Sequence, residues 1–239
     1  MTTIRHSWFL CLAMLVACAG CDFFQKGPAA APVRERAFAE QVADVKRGKA
    51  EIIRVEAEEV SDDQIQALAG VAGVEQLWLD QAPLTLRGLA TVASLQGLQR
   101  LKLDRCKIGD AELRALVQGR SLQVLNLPSG EFTNEGLKTL AELPQLVQLR
   151  FASPNVTDDG LAEFSKYPKL LRLHLISTPI TDAGLQHLHS LKNLQSLYLD
   201  DTKVTDDGLS KLLRALPDLH LHVDQQHAAS DPRGKDHTH

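Results

Sequence analysis

The chain has 239 residues, of which 44% are hydrophobic, 23% charged and only 5% aromatic. That balance describes a packed body of one large or two small domains, built in small repeated layers rather than around an aromatic centre. A formal net charge of −4 and the lack of any Lys/Arg-rich run exclude a polyanion binder, and with it nucleic acid as a partner.

In chain order, the first 21 residues open with Arg5 and His6 and continue through an apolar run from Trp8 to Ala17. Small residues stand at Ala17, Ala19 and Gly20. This is the order of a secretory signal, and the run is shorter than the roughly 20 apolar residues that span a bilayer. The four cysteines are Cys11, Cys18, Cys21 and Cys106. They form no disulfide framework and no paired zinc-ligand spacing, so no metal or other cofactor is expected.

Around the cleavage point, Leu15-Val16-Ala17-Cys18 resembles a bacterial lipobox, and Cys18-Ala19-Gly20-Cys21 matches its last three positions. The resemblance implies a signal peptide at 1–17 with lipidation at Cys18, or alternatively 1–20 with lipidation at Cys21. It implies a lipid-anchored protein of the bacterial cell envelope. In the proteobacterial sorting rule, Asp22 after Cys21 would favour the inner membrane. Ala19 after Cys18 favours the periplasmic face of the outer membrane, the expected address. Several acyl chains hold durably, since each buried CH₂ adds about 0.8 kcal/mol.

Residues 18–33 then form the lipidated tether, rich in Ala with two prolines and two glycines. Residues 34–49 carry an amphipathic helix with Phe38, Val42 and Val45 on one face, and this helix is expected to cap the repeat region.

From 50 to 224 the sequence repeats every 24 residues without insertion. Blocks beginning at Val74, Leu98, Leu122, Leu146, Leu170 and Leu194 place Leu77, Leu101, Leu125, Leu149, Leu173 and Leu197 at the fourth position. The sixth position holds Leu79, Leu103, Leu127, Phe151, Leu175 and Leu199. Alternation at these two positions predicts a short strand with its apolar side inward. The eleventh and sixteenth positions are also apolar throughout, and Thr or Asp before the sixteenth suits a helix N-terminus. Pro144, Pro168 and Pro217 recur where helices should stop.

The L-x-x-L-x-L core with V/I-T-D-x-G-L after it stands at Val156–Leu161, Ile180–Leu185 and Val204–Leu209. It resembles the leucine-rich repeats of bacterial extracytoplasmic proteins. The resemblance implies an α/β solenoid: a right-handed superhelix with a parallel concave sheet and short convex helices. It also implies that the concave sheet is the binding surface. Counting from the register, that face should present Trp78, Arg100, Lys102, Asn126, Pro128, Arg150, Ala152, Arg172, His174, Ile176 and Tyr198. Within it, Pro128, Ala152 and Ile176 make an apolar strip beside Arg150, Arg172, His174 and Tyr198, and aromatic and Arg side chains favour binding hot spots.

Other features have blander readings. The pairs Asp62-Asp63, Asp158-Asp159 and Asp206-Asp207 could attract calcium, yet each falls at a predicted helix start. Histidines gather towards the C-terminus, where residues 225–239 read as a disordered His-containing tail. Cys106 sits at the ninth position, shared with Thr178 and Thr202, and reads as packing. No phosphate-cradling, HExxH or GxSxG motif occurs. The expectation is a binding protein without catalytic residues, taking a protein or peptide partner and touching the membrane through its anchor alone. The alternatives are an envelope scaffold self-associating through the edge of its last strand, or a histidine-based metal sensor or enzyme.

Overall fold

The computed structural model describes residues 36–56, 59–224 and 226–227, the last two as backbone only. The signal segment, both candidate lipidation cysteines and the tether lie outside the described residues.

Each 24-residue block contributes one strand. These are β1 (Ile52–Val55), β2 (Gln76–Asp80), β3 (Arg100–Asp104), β4 (Val124–Leu127), β5 (Gln148–Ala152), β6 (Arg172–Ile176), β7 (Ser196–Asp200) and β8 (His220–Val223). They pair in sequence order as one parallel sheet, with residue n opposite residue n + 24, as in Leu77↔Leu101 and Arg150↔His174. The fourth- and sixth-position side chains point into the core. Leu77, Leu101, Leu125, Leu149, Leu173 and Leu197 are all 1% exposed or less. No single repeat can bury this face alone, so the stack of layers is the core.

The return segments carry helices α1 (Phe38–Lys46), α2 (Asp62–Ile65), α3 (Leu86–Ala93), α4 (Asp110–Leu116), α5 (Asn134–Leu140), α6 (Asp182–Leu188) and α7 (Asp206–Ala215). The block that begins at Leu146 leads instead into a 3-10 helix at Asp158–Lys166. Leaving the strand, the chain turns through a single left-handed residue at the eighth position: Gln81, Arg105, Ser177 and Asp201 have φ of 55°, 48°, 46° and 51°. The two middle blocks turn differently, and there the buried Ser153 hydroxyl donates to the Phe132 carbonyl at 2.6 Å.

The T-D-x-G-L motif gains a meaning that the sequence does not announce. Thr85, Thr133, Thr181 and Thr205 cap their own helices, each hydroxyl accepting from a backbone N–H of the first turn. The adjoining Asp reaches into the next repeat. Asp182 accepts from Thr205 N (2.8 Å) and Thr205 Oγ1 (2.6 Å), and Asp158 and Asp110 hold Thr181 and Thr133 in the same way. Asp62 holds Thr85 through the same pair of donors. Asn134 keeps the ladder with one bond reversed. Its amide donates to Thr157 Oγ1 (2.9 Å) and its oxygen accepts from Thr157 N (3.0 Å). Thr157 then gives its helix no side-chain cap.

Glycine at the third helical position makes room for this carboxylate. A Cβ at Gly208 would collide with Asp182, and one at Gly184 with Asp158. The ladder lapses once, where Leu86 stands in the Asp place and Gly109 in the Thr place. Leu86 is left 50% exposed.

The two ends are finished differently. At the first, α1 lays Phe38, Val42 and Val45 into the core. Its buried Gln41 imitates a neighbouring strand, with Oε1 accepting from Arg54 N (2.8 Å) and Nε2 donating to Arg54 O (2.7 Å). At the other, residues 226–227 form strand β9 (Gln226–His227), antiparallel to β8 through His222↔His227 and Val223↔Gln226. The sheet therefore runs two residues into the stretch assigned from sequence to a disordered tail, because an unsatisfied edge accepts the nearest free backbone. Among the described residues no helix is long and apolar enough to cross a membrane.

Candidate functional site: the free face of the sheet

With the strands pleated, the third, fifth and seventh positions of each block share the face turned away from the helices. All eleven side chains counted from the sequence belong to these rows. Ten of them keep some exposure. Asn126 does not: it is completely buried, and the short strand β4 has no exposed residue. It sits beneath a longer neighbour, its Oδ1 accepting from Arg150 Nη1 at 3.3 Å. Asn126 thus supports the surface from below, a correction to its place as a contact residue.

Fifth-position side chains on three strands, with the seventh-position Asp200 on the next, form a linked chain. Arg150 Nε donates to His174 Nδ1 at 3.2 Å, and His174 Nε2 lies 2.7 Å from Asp200 Oδ2. These partners define the imidazole. Nδ1 must offer a lone pair to the guanidinium, so the proton is on Nε2, pointing at Asp200. Burial pushes the His174 pKa below its usual value and the Arg150 charge adds to that, outweighing the opposing pull of Asp200. His174 is therefore neutral at pH 7. Arg150 is itself partly desolvated, which lowers its pKa, but a guanidinium stays charged.

Aromatic rings continue the row. Tyr198 lies 5.2 Å from the His174 ring and stacks on His222 at 4.4 Å, with His220 packed on His222 at 4.5 Å. At the opposite end Arg54 stands 3.7 Å over the Trp78 ring and pairs with Glu56 at 2.9 Å. Lys102 pairs with Asp104 at 3.2 Å, and Arg105 binds Asp80 through two bonds. The seventh-position row is acidic at Asp80, Asp104 and Asp200. Between them Pro128, Ala152 and Ile176 are half-buried, an apolar interval on three successive strands.

Of the acidic pairs at helix starts, Asp62 and Asp158 spend their oxygens on the ladder, while Asp63 pairs with Arg87 at 3.2 Å and Asp207 with Lys211 at 2.5 Å. Among the described residues no group of three or more His, Cys, Asp or Glu is arranged to hold a metal ion. Cys106 is buried and donates to the Asp104 carbonyl at 3.2 Å, and burial raises its thiol pKa to about 11. His187 is exposed on α6, whereas His189 is half-buried.

A Leucine Rich repeat family model matches residues 120–141 and 190–213. No curated protein matches the chain. Among solved structures, an internalin C2 from Listeria monocytogenes aligns with a TM-score of 0.57 at 22% identity, over 79% of this chain and 93% of that one. An internalin (inlF) from the same organism aligns with a TM-score of 0.56 at 19% identity, over 76% of this chain and 49% of that one. This chain thus spans about half the length of the second. The two matched repeats, the shared architecture and the parallel stack of leucine-lined strands make this chain a leucine-rich-repeat solenoid.

Proposed function

We propose that this chain is an extracytoplasmic, lipid-anchored leucine-rich-repeat protein that binds a protein or peptide partner through the concave face of its sheet. The observation that carries the reading is the centre of that face. There, the apolar interval Pro128, Ala152 and Ile176 adjoins Arg150, His174 and Tyr198, whose side chains are already held by hydrogen bonds and ring contacts. Side chains fixed before binding lose little rotamer freedom on complex formation, which would otherwise cost about 0.5–1.5 kcal/mol each. Aromatic and Arg anchors bordering an apolar patch are the composition of interface hot spots. Internalins of the same fold share the architecture that presents such a face. The partial cover that β9 gives β8 weighs against a scaffold assembled by edge-to-edge pairing.

A photo-crosslinking side chain placed at Ile176 or Tyr198 in cells tests the binding face, with His187 on α6 as control. A discrete adduct from the sheet positions and none from position 187 is expected. Adducts from position 187 alone, or from none of the three, would overturn the reading. Labelled palmitate incorporation tests the anchor. It should vanish with Cys18→Ser, or with Cys21→Ser if that is the acceptor. Retention in both single variants and in the double variant would refute lipidation at this pair.

A further inference from the structure

The cations of the sheet face are not equally neutralised. Arg54 and Lys102 each have a carboxylate within ion-pair distance, as does Arg105 in the turn after β3, and Glu75 acts on Arg100. Arg150 spends its bonds on two uncharged acceptors, His174 Nδ1 and the Asn126 amide oxygen. Arg172 has no ion pair or side-chain hydrogen bond among the described residues, and its register neighbours are the uncharged Gln148 and Ser196. These two guanidinium groups lie on adjacent strands and on the same face, since Arg172 precedes by two residues the His174 that pairs with Arg150. Such diagonal neighbours are roughly 7–8 Å apart at Cα, within the span of two long side chains meeting one ligand.

The geometry points to Arg150 and Arg172 as a paired anchor for one carboxylate of the partner, so that the recognised segment is acidic with an apolar residue beside it. This rests on the concave-face reading above. A planar guanidinium meets a carboxylate through two parallel N–H···O bonds, and Arg150 is held in place to do so by Asn126 and His174. Pro128, Ala152 and Ile176, one row further along the strands, receive the adjoining apolar side chain. The flanks select the charge of the ligand. Asp104 and Asp200 both act on Arg150 from a distance. They repel a phosphate, which carries about −1.5 to −2 at pH 7, more than a singly charged carboxylate. The net charge of the whole chain, −4, makes attraction of an acidic segment a property of this spot rather than of the surface at large.

The test uses full-length protein in detergent micelles and tracks the side-chain Nε–H signals of Arg150 and Arg172 by NMR. The probe is the blocked tripeptide N-acetyl-leucyl-glutamyl-leucine amide. Its glutamine counterpart and inorganic phosphate are the comparisons. Saturable shifts of both signals with the glutamate probe are expected, with none from the glutamine probe and at least tenfold weaker binding of phosphate. Arg172→Gln, which removes no hydrogen bond of the fold, should weaken the glutamate probe about tenfold while leaving the spectrum folded. Equal response to the glutamate and glutamine probes, no saturable shift, an unchanged affinity in Arg172→Gln, or phosphate binding as tightly as the glutamate probe would each overturn the inference. A partner crosslinked at Ile176 whose capture is unaffected by Arg172→Gln would overturn it too, and leave the proposed function standing. Probe binding without any partner at the sheet face would do the reverse.

Discussion

The effect of Gly208→Ala should change sign with the residue at position 182. Gly208 is the third residue of α7, and the three atoms nearest to an added Cβ all belong to the Asp182 carboxyl group of the preceding repeat. The methyl group must push that carboxylate off Thr205, whose N and Oγ1 it binds at 2.8 and 2.6 Å. Hydrogen bonds to charged groups contribute about 1.5–3 kcal/mol each when well shielded, and these, at the solvent-accessible rim, are nearer ~1 kcal/mol each. Against this loss of about 2 kcal/mol stands the gain of Ala over Gly inside a helix, about 0.5–1 kcal/mol. Gly208→Ala in the native background should therefore destabilise by roughly 1–1.5 kcal/mol. In the Asp182→Ala background the carboxylate is already gone, so the same substitution should stabilise by about 0.5–1 kcal/mol. Urea denaturation of the four proteins of the cycle, monitored by far-UV circular dichroism, gives the coupling directly. Additive effects, with Gly208→Ala equally destabilising in both backgrounds, would refute the inter-repeat ladder as the reason for the glycine.

Three further outcomes come from the same geometry. His174 is held neutral with its pKa below 6.5, so the unfolded chain takes up a proton first as the pH falls. The associated stability is thus present above pH 6.5 and drains away down to the folded-state pKa. Nitrogen-15 shifts of the ring should report the Nε2–H form at pH 7, and a measured pKa at or above 6.5 would contradict the assignment. Thr178 is 1% exposed and its hydroxyl has no hydrogen-bond partner among the described residues. Thr178→Val, which deletes a buried unsatisfied group at almost constant volume, should raise the unfolding free energy by about 1 kcal/mol in the same urea titration; a loss of stability would reveal a partner for that hydroxyl. Cys106, with its thiol pushed up to about 11 by burial, should resist iodoacetamide at pH 8 in the folded protein and react promptly in urea. Equal rates in the two states would show the thiol to be accessible.

The 24-residue spacing is enough to place every strand of the repeats and its register. Counting alone puts Leu149 opposite Leu173 and Arg150 opposite His174, because in a solenoid each layer contacts only the next and a fixed period becomes a fixed pairing. For the same reason the rows of the sheet face can be read off in order, with side chains alternating along a strand. Counting does not say how long a side chain its neighbour carries. Asn126 belongs to the surface by position and is covered by Arg150, a fact of side-chain reach across strands. The T-D-x-G-L motif is legible as a helix start, since capping is local. Its Asp acts 23 residues away, and its Gly is required by a carboxylate from another layer, so neither role shows until the layers are stacked. The neutral state of His174 and the unpaired charge of Arg172 are likewise invisible in a string of residues. Protonation and ion pairing depend on burial and on distances of a few ångströms between strands, and only the folded sheet sets those.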